Sequence, residues 1–430
     1  MRTDRMPARI VIGIGALWAI VGSVRAGGAP GPQATPMAPM AWTTPAAQSA
    51  TDQYTRYELG APDTATFHVS YEVSATMAGA TRYVDPVRPG TTVTQASATD
   101  LMTGQPLTVT PSGTALVVTL LRPVPQKGQG RIRIDKTVKT VKGAAGYTLT
   151  QGLGVFTETL NTRRGIVVLP AGFELVGCNM PSQVLSEPDG RVSVAFMNQA
   201  PGDATLVVKT RAGAETGPTA APTPPTTARS WEPPPAQGPT ERTRLAERAH
   251  QDRDITYFLQ DPSTNAFSLF HDYTESRAGT DKYINVVRTG SHVSNPSAYV
   301  LDTGEVLRHE ILRGDAITAA KIDAGGPVTP DTEVVVVYFS PVRAGQSVRL
   351  RISETYAAPE SYRLEGQDLV FDRSLGRPRN SVVLPSGWYL TESSIPAVIS
   401  ETPDGLIRLD FYNGRNDSLD VLIKGRRRVR

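Results

Sequence analysis

Apolar residues along this chain fall in short runs broken by polar punctuation. Phe67–Val73, Leu116–Leu121, Arg131–Lys139, Ile166–Leu169, Arg191–Phe196 and Thr205–Arg211 are representative. Gly, Pro, Asp or Asn bounds most of them, and no window sustains a 3.6-residue period. Short runs with frequent turn signals predict strands, about ten of them between Thr55 and Ala212, and an all-β fold of sandwich type.

The pattern occurs twice. Arg163–Leu175 reads RRGIVVLPAGFEL, and Pro378–Leu390 reads PRNSVVLPSGWYL. In each, a β-branched run leads to Pro at the second position of a turn, a small residue, Gly and an aromatic. Proline presets φ for a type I turn, and Gly supplies the left-handed residue that follows. The stretch is therefore expected to be a β-hairpin. Glu187–Gly190 and Thr402–Gly405 form a second pair of turn signals. Residues 57–107 align with 257–307 without a gap at 18 of 51 positions, and 147–211 align with 362–426 at an offset of 215. About fifteen extra residues fall near 308–332 in the second copy.

This gives a domain scheme. Residues 1–26 read as a signal peptide: Arg2, Arg5 and Arg9, the apolar run Ile10–Val24, then small residues around Arg25. The run is short for a transmembrane span, with an uncleaved anchor as the alternative. No Cys follows it for lipid attachment. Residues 27–50 form a disordered Pro/Ala-rich spacer. Residues 51–212 are β-sandwich repeat 1, 213–240 a Pro-rich linker, and 241–430 repeat 2, opened by a short helix over 241–251. A linker this rich in proline makes independently placed domains the expectation.

Composition narrows the function. The formal net charge is +3, but four arginines and one aspartate lie in the leader. Without them, forty basic side chains face forty acidic ones, so no nucleic-acid footprint remains. Cys178, the single cysteine, cannot form an intrachain disulfide and reads as a small buried residue. Of the terminal basic run, Lys424–Arg426 aligns with a strand end in repeat 1. Only Arg427–Arg430 remains to attract an anionic surface.

Candidate chemistry is sparse. His68, His250, His271, His292 and His309 show no metal-ligand spacing. His309-Glu310 begins like a zinc-peptidase helix, but Arg313 stands where the second His belongs. No nucleophile elbow or phosphate loop occurs. Asp272, Glu275 and Asp281 form the densest carboxylate group and are candidate calcium ligands. They are also where a hydrolase acting on polysaccharide or peptide would place its acids. Polar residues kept in both copies are candidate ligand contacts: Arg88 and Arg288, Arg164 and Arg379, Tyr83 and Tyr283, with Arg133/Arg351 and Asn198/Asn413 beside them. Tyr389, next to the core candidate Trp388, is the outward aromatic of its strand.

Three functions fit. The first is an exported, non-catalytic binding or envelope scaffold protein, secreted, periplasmic or on the cell surface, whose partner is envelope polysaccharide or another exported protein. The second is a secreted hydrolase with its site in repeat 2. The third is a pair of carbohydrate-binding modules. No cofactor other than calcium is suggested.

Overall fold

The computed structural model describes residues 50–160, 162, 164–198, 204–213, 253–413 and 418–428. The expected leader, spacer, linker and helix over 241–251 lie outside the described residues, apart from Ala50 and Gly213 at their edges.

The fold is all-β. Repeat 1 contains β1 (Ala50–Leu59), β2 (Thr66–Ala75), β3 (Arg82–Pro86), β4 (Thr91–Asp100), β5 (Pro106–Ser112), β6 (Ala115–Thr119) and β7 (Gly130–Thr140). It continues with β8 (Tyr147–Thr150), β9 (Leu153–Thr159), β10 (Arg164–Val168), β11 (Phe173–Ser186), β12 (Val192–Met197) and β13 (Thr205–Ala212). Repeat 2 contains β14 (Arg253–Leu259), β15 (Ala266–Glu275), β16 (Lys282–Val286), β17 (His292–Val300), β18 (His309–Arg313) and β19 (Glu333–Tyr338). Its remaining strands are β20 (Val348–Ala357), β21 (Tyr362–Glu365), β22 (Asp368–Leu375), β23 (Arg379–Val383), β24 (Trp388–Glu401), β25 (Ile407–Tyr412) and β26 (Leu419–Arg427). The five-residue helix α1 (Asp315–Ala319) follows β18.

The two halves make matching pairings. β1 is antiparallel to β2 and parallel to β10, as β14 is to β15 and β23. The main sheet of repeat 1 runs β4-β7-β2-β1-β10-β12-β11-β13-β9-β8. Although β1 and β9 are far apart in that order, the Tyr57 and Phe156 ring centroids are 5.1 Å apart. The sheet therefore folds back on itself, and side chains from its two ends fill one core. Tyr257 and Phe371 meet in the same way at 5.9 Å in repeat 2. A smaller sheet covers the far side of each repeat, β3-β6-β5 in one and β16-β19-β18 in the other. β18 is the counterpart of β5, and the extra residues between β18 and β19 supply α1, whose Ile317 packs under Val334 and Val336.

The repeated thirteen-residue stretch is a strand, a turn and a strand, but not a hairpin. The turn forms as its residues dictate: Phe173 N–H donates to the Pro170 carbonyl at 3.2 Å, and Gly172 sits at φ 76°. Yet β10 pairs with β12 and β1, and β12 lies between β10 and β11. A type I turn splays its flanking strands, whereas hairpins favour the mirror-image turns. The splay admits a third strand. Ile166, Val167 and Val168 are buried on both faces, which a central strand with two partners requires.

The repeats are also not independent. The described residues of both repeats fall in one compact unit. β11 runs antiparallel to β24, with Cys178 opposite Ile399, Ser182 opposite Ala397 and Val184 opposite Ser393. At the 215 offset, Ser182 and Ala397 are counterparts of each other, so a local twofold passes between them. Gln183 Nε2 donates to the Ser394 carbonyl at 2.6 Å, and Arg211 Nη2 donates to Glu401 Oε2 at 2.7 Å. Burial of a long strand pair overrides what the linker composition suggests. Cys178 is buried in this seam. Burial raises its thiol pKa, against hydrogen bonds with Ser182 and Met180.

Candidate functional site

The outer face of repeat 2 carries a row of six aligned side chains. Tyr412 lies opposite Arg379, Arg379 opposite Asp254, Asp254 opposite Asp272, Asp272 opposite Arg351, and Arg351 opposite Tyr299. The alternation of each strand puts them on one side, because their neighbours Ile255, Tyr273, Leu350, Ile352 and Phe411 are buried in the core. Five interstrand steps make the row about 24 Å long.

Its centre would be unstable without its flanks, since like charges directly opposite each other repel. Asp254 and Asp272 each turn to an arginine instead. Arg379 Nε pairs with Asp254, and Arg351 holds Asp272 through a fork of 2.7 and 2.8 Å. The hydrogen bonds to Asp272 raise the Arg351 pKa further, against partial burial. Arg351 also lies 4.2 Å over the Phe270 ring, and the Phe270 and Phe258 centroids are 5.8 Å apart. Tyr412 is 76% exposed at one end. The same row in repeat 1 reads Met197, Arg164, Tyr54, Glu72, Arg133 and Thr99. Three pairs kept in both copies, Arg164/Arg379, Arg133/Arg351 and Glu72/Asp272, are thus one feature. Repeat 2 adds a tyrosine at each end and the second aspartate.

The other sequence candidates are dispersed. Tyr83 is buried with its hydroxyl 3.0 Å from that of Tyr71. Tyr283 is buried against His271 and Tyr273, at 5.2 and 4.9 Å between ring centroids. Arg88 pairs with Glu158 at 2.5 Å, while Arg288 donates to the Ser374 carbonyl at 2.9 Å. Trp388 is buried and Tyr389 half-buried. Burial raises the Tyr389 pKa, opposed by Arg426 and helped by Glu174 across the repeat seam.

The three acidic candidates do not converge. Asp272 faces outward on β15 and Glu275 inward, as three residues along a strand require. Burial raises the Glu275 pKa, but hydrogen bonds from Arg277 and the Tyr273 hydroxyl outweigh it and hold the carboxyl at about 2. Asp281 pairs with Lys282 at 3.3 Å. Among the described residues, no three His, Cys, Asp or Glu side chains gather closely enough to hold a metal ion. Glu333 is buried and accepts from His292, Val293 N–H and Arg313 at 3.0, 3.1 and 2.9 Å. Beside the repeat 1 turn lies a pocket of about 480 Å³, where Asp189 and Arg191 pair with each other at 2.7 Å.

Sequence reasoning did not find Tyr299, Tyr412 or Asp254. Their signal is register between paired strands, with Asp254 and Arg379 125 residues apart, which no local motif carries.

No protein-family description matches the chain, and no curated protein does. An M1 zinc metallopeptidase from Deinococcus radiodurans is similar over 36% of this chain and 40% of that one, at 16% identity and a TM-score of 0.28. An aminopeptidase N family protein from Idiomarina loihiensis is similar over 36% and 29%, at 12% identity and a TM-score of 0.26. The chain spans less than half the length of either, and likenesses of this size carry no argument. Among the described residues, no helix is long and apolar enough to cross a membrane.

Proposed function

We propose that the protein is an exported, non-catalytic binding protein of the cell envelope, and that it holds polysaccharide on the outer row of repeat 2. The observation that carries this reading is the row from Tyr412 through Arg379, Asp254, Asp272 and Arg351 to Tyr299. Arg351, Arg379 and Asp272 bring guanidinium and carboxylate groups to the outer face, a combination that suits vicinal hydroxyls. The terminal tyrosines offer amphipathic rings for stacking on sugar faces. A row that crosses six strands matches an extended polymer better than a compact ligand. The row sits on six hydrogen-bonded strands, which limits the ordering cost of binding. The N-terminal run of arginines and apolar residues supports export.

A glycan array probed with the protein purified after export tests this. Binding to one class of polysaccharide fragment is expected, and it should be lost when Tyr299 and Tyr412 are both changed to Ala. Binding to no glycan removes polysaccharide as the ligand.

A further inference from the structure

Of four polar positions that keep their places between the repeats, three change their charge. In repeat 1, Arg88 Nη1 donates to Glu158 Oε2 at 2.5 Å and to the Thr157 carbonyl at 2.6 Å. Lys136 Nζ donates to Asp85 Oδ2 at 2.6 Å. Two cations meet two carboxylates. Register identifies the counterparts. Glu158 lies opposite Leu206, and Arg373 opposite Val421. Lys136 lies opposite Val69, and Glu354 opposite Leu269. Asp85 lies opposite Leu116, and Asn285 opposite Val335. Arg88 persists as Arg288. Repeat 2 therefore sets two arginines against one carboxylate. That carboxylate, on Glu354, already accepts from Asn285 at 2.7 Å and Tyr356 at 2.9 Å.

Arg373 is 8% exposed. Its Nη1 makes one long donation, 3.4 Å to Ser361 Oγ, and its guanidinium lies over the Phe267 and Tyr257 rings at 5.1 and 5.9 Å. Its buried Nε has no hydrogen-bond partner among the described residues. Arg288 reaches the same stretch of strand, donating to the carbonyl of Ser374, the residue after Arg373. Desolvation and then Arg373 lower the Arg288 pKa, partly offset by Tyr257 and the exposed Asp420. A buried guanidinium with an unmet N–H is costly. Repeat 1 avoids that cost with its own carboxylate.

We propose that in repeat 2 an external carboxylate or phosphate group takes over the role that the Glu158 carboxylate plays for Arg88 in repeat 1, held between Arg288 and Arg373. Arg288 is exposed and offers the way in. Arg373 is the buried anchor, its position fixed by the two rings beneath it. Two guanidinium forks facing one anion give charge-assisted hydrogen bonds with directional specificity. Phe267 and Tyr257 belong to the core side of the sheet, so this site lies on the opposite side from the outer row and does not depend on it.

Thermal unfolding of the protein purified after export, titrated with sodium phosphate or sodium acetate at constant ionic strength balanced by chloride, tests the proposal. A saturable rise in Tm at millimolar concentration is expected for at least one of the two, and which anion acts separates a phosphate from a carboxylate ligand. Arg373→Glu recreates the repeat 1 pair, so it should weaken the response at least tenfold while keeping the ligand-free Tm at or above that of the parent. If that variant does not fold, Arg373→Gln, which removes the charge alone, should show the same loss of response. No saturable shift in the parent, or an undiminished shift in the variant that folds, overturns the site.

Discussion

Arg428 Nε donates to Glu174 Oε2 at 2.8 Å, tying the end of repeat 2 to the start of β11 in repeat 1. Glu174 is only 5% exposed, so its carboxylate depends on that partner. Arg428→Ala should destabilise the protein by about 3 kcal/mol, because it strands a buried charge. Adding Glu174→Gln should recover most of the loss. Urea unfolding of the two single variants and the double variant checks this; additive losses would show that the pair is not coupled.

Buried carboxylates of repeat 2 should respond to pH in opposite directions. The Glu354 pKa is raised by burial, against hydrogen bonds from Asn285 and Tyr356. The folded state therefore binds the Glu354 proton more tightly than the unfolded chain, and stability falls as pH rises above the ordinary glutamate range. Glu354→Gln should raise Tm at pH 7 and leave it unchanged near pH 4. Thermal melts across that range give the comparison.

Glu275 behaves in reverse. Its carboxyl is held at about 2 despite burial, so its contribution is complete above the unfolded value and fades as pH falls towards 2. Glu275→Gln should cost about 2 kcal/mol at pH 7 once the exposure of Arg277 is allowed for. The penalty should vanish near pH 2. A constant penalty at both pH values would refute the assignment.

Gly165 lies directly opposite Phe196, whose buried ring covers it. A Cβ at Gly165 would sit 2.3 Å from Phe196 Cζ. Gly165→Ala should therefore displace the ring and cost about 1–3 kcal/mol, measured by denaturant unfolding.

On the outer row, stability and binding should separate. The Asp272–Arg351 pair is partly exposed, at 28% and 32%, and such pairs contribute about 0–1 kcal/mol. Asp272→Ala should leave Tm within a few degrees of the parent and still abolish glycan binding. Loss of binding only together with loss of fold would make the row a structural ladder.

The chain's local chemistry determined a great deal. Alternation and β-branched runs specify strands, and Pro170 with Gly172 specifies a turn, because dihedral preferences belong to a residue and its neighbours. The recurrence of the same pattern marks the second set of strands. The spacing of Asp272 and Glu275 was enough to put them on opposite faces. Strand partners are another matter. Whether β10 meets β11 or β12, and whether β1 joins β10 in parallel, depends on which faces must be buried together across more than a hundred residues. The outer row, the reversed charges at Arg373 and Glu354, and the seam between β11 and β24 all follow from that non-local choice. Only the tertiary structure could decide them, because hydrophobic burial is settled over the whole sheet rather than at any one turn.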